Sequence, residues 1–162
     1  MSNQDQAQTP VQQAKPTYFN LHTSGIGYLN DIREVTPKKG PTFLACRVSA
    51  LVGESASLEY RYFDMNVKGE ATETLIRKCQ QAVADKRKVL IAFTMSDLRY
   101  ETFTYSKDGE YHKKGDTGVT LKGRLIRIDL IKIDGEVKFK APVKQQNAEQ
   151  APQEQTDNGE NQ

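Results

Sequence analysis

One helical segment in an otherwise alternating chain is what most limits the fold. In EATETLIRKCQQAVADK (Glu70–Lys86), Leu75, Cys79, Ala82 and Val83 recur at helical spacing. Acidic residues lead this segment and basic residues follow, the order that the helix dipole favours. Around it the chain reads in steps of two. LEYRYFDMNV (Leu58–Val67) puts Phe63, Met65 and Val67 on one side and Tyr60, Tyr62, Asp64 and Asn66 on the other, which is a strand with one buried face. TFLACRVSAL (Thr42–Leu51) turns Leu44, Cys46, Val48 and Ala50 inward and Phe43 and Arg47 outward. KVLIAFTM (Lys88–Met95) is a buried strand. YFNLHTSGIGYLNDIREV (Tyr18–Val35) is a long strand signal interrupted at Gly25 and Gly27, where paired glycines predict a bulge or a sharp coil. PKKG (Pro37–Gly40) is a turn and GESAS a loop. RYETFTYSKDGEYHKKG (Arg99–Gly115) predicts a hairpin arm turning near Asp108–Gly109, and GVTLKGRLIRIDLIKIDGE (Gly118–Glu136) is the last long strand signal.

The order is three strands, a helix, a strand, a hairpin excursion and a final strand. It predicts a mainly β fold: a five-stranded Greek-key OB-fold barrel with one helix between strands 3 and 4 and an extended β-hairpin arm. An SH3-like barrel offers no ready place for that helix. The 162 residues suit one domain. Residues 1–16, with five Gln and two Pro, and residues 144–162, with six Gln and four acids, hold too little apolar surface to offset their ordering entropy. Both read as disordered, which leaves residues 17–143 as the folded unit.

From Thr17 to Ala141 there are 21 Lys and Arg against 16 Asp and Glu, a net +5, whereas Gln145–Gln162 carries −4. A mildly basic body with an acidic tail suits a nucleic-acid binder that limits its own non-specific binding. Cys46 and Cys79 lie in no CxxC and near no His pair, so neither zinc nor a disulfide is expected. No apolar run of about 18 residues and no leader pattern is found, which gives the expectation of a cytoplasmic protein with no membrane partner.

Signals of catalysis are few. His22 and His112 are isolated. There is no nucleophile elbow, no GK[ST] phosphate loop and no HExxH, and SGIGYL is not a dinucleotide fingerprint. Asp64, Asp97, Asp116 and Asp129 fall in different elements. The expectation is a protein that is not an enzyme and that has no cofactor, no metal and no catalytic residue. A binding face is better supported. Outward aromatics suited to stacking on bases are Tyr60, Tyr62, Phe43, Phe103 and Tyr105. Bases placed to track phosphates are Arg47, Arg61, Arg99, Lys113, Lys114, Lys122 and Arg124. The plainer alternative is that these aromatics fill a barrel core or a subunit interface.

YFNLHTSGIGYLNDIREVTPKKG, FLACRVSAL, YRYFD and TGVTLKGRLIRI together resemble a family of small replication-associated proteins encoded on integrative conjugative elements and regarded as the elements' own single-stranded-DNA-binding proteins. The resemblance runs from about Tyr18 to Gly135. A looser one is to bacterial single-stranded-DNA-binding (SSB) proteins, and by it Tyr60 falls at a base-stacking position and Arg99–Gly115 at the long hairpin that wraps DNA. The chain departs from those proteins in two places: its tail ends TDNGENQ with no apolar tip, and it has no tryptophan. The resemblance implies a homo-oligomer, a tetramer ahead of a dimer, that coats single-stranded DNA with little sequence preference. It also implies replication or transfer proteins as partners of the acidic tail. The rival expectation is an OB-fold adaptor that binds proteins and touches DNA weakly or not at all.

Overall fold

A computed structural model describes residues 17–143; the two segments read as disordered, 1–16 and 144–162, lie outside the described residues. The elements are β1 (His22–Val35), β2 (Phe43–Val52), β3 (Glu59–Val67), α1 (Glu70–Ala84), β4 (Val89–Thr104), β5 (Thr117–Ile133) and β6 (Glu136–Lys140). The strands run in the order β3-β2-β1-β4-β5-β6, and β3 also pairs with β5. That last pairing is parallel, Phe63–Val67 against Leu121–Leu125, and closes β1–β5 into a barrel. A closed five-stranded barrel with its helix between strands 3 and 4 is the OB-like architecture that the order of signals predicts.

Alternation produces the core. Leu44, Cys46, Val48 and Ala50 of β2 and Met65 and Val67 of β3 are buried as read, and they meet Leu29, Ile91, Phe93, Met95, Leu125, Ile128 and Ile131. From α1, Ile76, Cys79 and Ala82 close the barrel, with Leu75 and Val83 packed at the margin. Burial pushes the Cys46 thiol up to about 12 and raises that of Cys79, so both remain protonated.

Several local expectations are corrected. β1 starts at His22 rather than Tyr18 and runs unbroken through Gly25 and Gly27; the irregularity lies between Asn30 and Arg33, where Asp31 takes φ 46°. Gly27 serves close approach instead. A Cβ there would lie 2.6 Å from the Ser49 carbonyl oxygen and 2.8 Å from the Ala50 Cα, whereas one on Gly25 would meet only the Phe93 ring at 3.6 Å. The arm is not a separate hairpin. β4 continues through a bulge between Ser96 and Arg99 to become its first strand, and the head of β5 is its second. The arm turns through a broad loop rather than a tight turn at Asp108–Gly109: Tyr105 N–H donates to the Asp116 carbonyl, and Gly109 N–H to that of His112. The final strand signal divides at Asp134–Gly135, both at positive φ, which turns the chain into the unforeseen β6. α1 carries Glu70 and Glu73 in its first turn but no base in its last; Lys86 and Arg87 lie past its end, where Arg87 pairs with Asp134 at 2.7 Å.

Gly27→Ala, which forces backbone atoms apart, is expected to cost about 2–3 kcal/mol in urea unfolding, near the upper end for overpacking, while Gly25→Ala stays within about 1 kcal/mol. Both thiols are expected to resist iodoacetamide at neutral pH in the folded protein and to react together in denaturant, as mass spectrometry would read.

Candidate nucleic-acid interface

The outward face of β1, β2 and β3 forms an open groove. Its main part, about 590 Å³, is lined by Asn30, Asp31, Arg47, Ser49, Tyr60, Arg61, Tyr62 and Asp64 and by Val119–Leu121 of the arm root. A second recess of about 360 Å³ shares Asn30, Ser49, Tyr60 and Tyr62 and extends the groove to Tyr28 and Lys88. Strand register makes it. Tyr28, Ser49 and Tyr62 are cross-strand partners on β1, β2 and β3. One rung further, Asn30, Arg47 and Asp64 are partners, and the rung continues through Lys122 of β5 to Arg99 of β4. At about 4.8 Å per strand this five-residue rung follows a path of roughly 19 Å around the curved barrel wall. The parallel closure therefore carries three of the predicted cations, Arg47, Lys122 and Arg99, onto one rung that bends around the barrel.

Tyr60 and Tyr62 project from alternate positions of β3, with ring centroids 6.5 Å apart and planes 24° from parallel. Two residues of an extended strand advance about 6.6–6.8 Å. The two rings therefore stand side by side along the strand as neighbouring, near-parallel surfaces. The rings are 40% and 59% exposed, which the plainer reading of core aromatics does not allow within one chain. Below them, the Asn30 side-chain amide donates to the Tyr28 carbonyl at 3.0 Å and to Ser49 Oγ at 3.1 Å.

The cations divide into two classes. Arg61 is held by Glu59 at 2.8 Å. Arg99 pairs with Asp97 at 2.9 Å and lies 3.6 Å from Glu101, Lys122 pairs with Glu101 at 2.7 Å, and Arg124 with Asp97 at 3.2 Å. Arg47, Lys113 and Lys114 have no ion pair among the described residues. Arg33, which the sequence reading did not single out, bridges Asp31 at 2.8 Å and Asp64 at 2.6 Å. Burial acts against its charge, but Asp64 and Asp31 more than offset it, and its pKa is raised.

The remaining predicted residues lie apart from the groove. Phe103 and Tyr105 are on the arm, edge to face at 4.9 Å, and Tyr105 also stacks on His112 at 3.6 Å. Phe103 covers Gly118, its cross-strand partner, which has no side chain to block it. Lys113 and Lys114 sit at the tip, where Asp116 and Asp108 accept from their backbone N–H groups. Phe43, half-buried opposite Val35, lines neither recess. Sequence reading missed Tyr28, Asn30, Ser49 and Lys88 in the groove, and the exposed Tyr100 and Tyr111 on the arm. The alternation of Tyr28 and Asn30 about the buried Leu29 was the available signal for the first two. Among the described residues no group of three or more His, Cys, Asp or Glu is arranged to hold a metal ion, and no helix is long and apolar enough to cross a membrane.

Residues 12–147 match the family model described as a protein of unknown function, DUF3577. The chain belongs to the DUF3577 family. No curated protein and no solved structure matches it. In this DUF3577 protein the groove and the arm root both fall inside the matched span.

The pairing at the arm root has a measurable signature. Lys122, by its hydrogen bond and charge, and Arg99 hold the Glu101 carboxyl below the usual glutamate value. A carboxylate depressed on folding adds stability above its unfolded pKa that is lost as pH falls through the folded one. Carboxyl NMR titration is expected to find Glu101 below ordinary glutamates, and to find it moved back toward them in Lys122→Ala.

Proposed function

We propose that this protein binds single-stranded DNA with little dependence on sequence, and that it protects the strand exposed when an integrative conjugative element replicates or transfers. The observation that carries this reading is the continuous groove in which Tyr28, Tyr60 and Tyr62 alternate with Arg47, Arg61 and Lys88 and which leads onto the arm root. Single-strand binding needs both components. Aromatic rings stack on any base, at about 1–3 kcal/mol per base, and cations release counterions from the phosphates. An open groove on a barrel face admits a flexible strand. Resemblance to the replication-associated family supplies the biological setting. No reacting constellation is needed, and the activity is not enzymatic.

The same reading includes a homo-oligomer, a tetramer ahead of a dimer. Phe19 and Leu21, 100% and 90% exposed just before β1, support it, since a lone chain gains nothing by leaving such side chains in water. The acidic tail would be the docking segment for replication or transfer proteins, and the protein would work in the cytoplasm. One observation favours an OB-fold adaptor instead: the exposed Leu98, Tyr100 and Val119 form an apolar strip on the arm that a protein partner could cover.

Anisotropy titration separates the two. With an oligonucleotide of about 35 residues, long enough for several OB-fold sites of about 4–16 nucleotides, binding is expected to weaken about tenfold in Tyr60→Ala. In Arg47→Ala the slope of log affinity against log salt is expected to fall by about 0.7. A folded parent that binds no oligonucleotide at low salt overturns the coating function and leaves the adaptor.

A further inference from the structure

α1 packs on β1, β4 and β5, and between the helix and β6 runs an apolar cleft. One part of it, about 300 Å³, is floored by Leu75 and Cys79 of α1, Ile131 and Ile133 of β5 and Phe139 of β6. A second part, about 480 Å³, continues past Leu75 and Phe139 to Glu70 at the start of the helix. Leu75, Ile133 and Phe139 are only partly buried, so the floor is unfinished. No residue that lines this cleft lines the tyrosine groove.

Two features specify what fits there. The first is the strand beside it. β6 ends the sheet and pairs with β5 alone, so its second edge meets no strand among the described residues. Such an edge is a template for an extended segment, whose alternate side chains would turn toward the cleft. The second is charge. Lys78 and Lys138 line the cleft and are exposed. Lys78 has no ion pair among the described residues, and Lys138 has Glu136 at 2.9 Å. Lysines on a short edge strand deter indiscriminate pairing, and the same lysines favour a segment that brings carboxylates. Glu70 lies at the other end, so that attraction is confined to the β6 end of the cleft. The chain's own acidic segment, 144–162, follows β6 in sequence, but its only apolar side chains are Ala148, Ala151 and Pro152, too small for this floor.

We propose that the α1–β6 cleft docks an extended acidic segment of a partner protein. The segment adds a strand to β6, sets one bulky apolar side chain against Leu75 and Phe139, and brings its carboxylates to Lys78 and Lys138. The site is separate from the groove and stands whether or not the groove binds single strands.

The test titrates the full-length protein into a short labelled peptide, read by anisotropy. In the peptide threonine alternates with aspartate, and phenylalanine replaces the central aspartate. Extended, it turns the phenylalanine and the aspartates to one face. The parent is expected to bind it about tenfold more tightly than the same peptide with alanine for phenylalanine. It is also expected to prefer it to a peptide with lysine for aspartate. In the double variant Lys78→Glu, Lys138→Glu the thermal midpoint stays near the parent's, the acidic peptide weakens about tenfold and the lysine peptide gains. Equal affinity for the phenylalanine and alanine peptides, a preference for the lysine peptide, or no loss in the folded double variant overturns the proposal. So does a folded parent that binds none of the peptides. If sedimentation then finds an oligomer that dissociates in Leu75→Asp, the occupant is a second copy of the chain instead.

Discussion

Parallel pairing of β3 with β5 is the constraint on which the remaining structure depends. Five residues of each strand meet, Phe63–Val67 and Leu121–Leu125, with α1 and β4 between them in the chain. That pairing turns an open meander into a barrel and removes two sheet edges at once. It also seats the helix, because Lys68 N–H, one residue past β3, donates to the Leu125 carbonyl just before α1 begins. And it fixes how the face is assembled: Asp64 opposite Lys122 joins the tyrosine-bearing strands to the root of the arm. Without it, Arg47 and Arg99 would sit on unrelated surfaces.

The charges on that face are arranged as a compromise. Asp97 and Glu101 hold Arg99, Lys122 and Arg124 in place, and Asp31 and Asp64 hold Arg33. Exposed ion pairs of this kind contribute little stability each. Their stronger effect is on shape, since they orient long side chains that would otherwise sample many rotamers. A polyanion approaching the arm root must compete with carboxylates already there, whereas Arg47 meets it uncommitted. The arm root thus reads as a conditional contact and the β2 arginine as an unconditional one.

Much of the architecture was legible because alternation and burial agree. Met65 and Val67 inward, Tyr60 and Tyr62 outward, and the helix placed after β3 all follow from spacing alone. What was missed has physical causes. The glycine at position 27 was read as part of a bulge or sharp coil, but close packing of β2 against β1 demands a residue without Cβ just as strictly, and the sequence signal is the same. β6 was absorbed into the preceding run although Asp134–Gly135, flanked by alternating apolar residues, is a strong hairpin signal. In the site, individual outward residues could be named from one strand at a time. Their gathering into a groove could not, because it depends on register between strands far apart in the chain, and for the same reason the carboxylates paired to Arg61, Arg99, Lys122 and Arg124 were invisible.

The arm is a continuation of two barrel strands, with six unbroken pairs from Arg99–Lys122 to Thr104–Thr117. Its length is therefore quantised. Removing one residue from one strand would turn every later side chain to the opposite face and part Phe103 from Gly118. Taking two residues from each strand would shorten the arm by about 7 Å and leave every remaining face as it was. The reach of this arm could thus be lengthened or trimmed in matched steps without altering the barrel, while a single inserted residue would be absorbed without a change of face only in the broad loop between Tyr105 and Asp116.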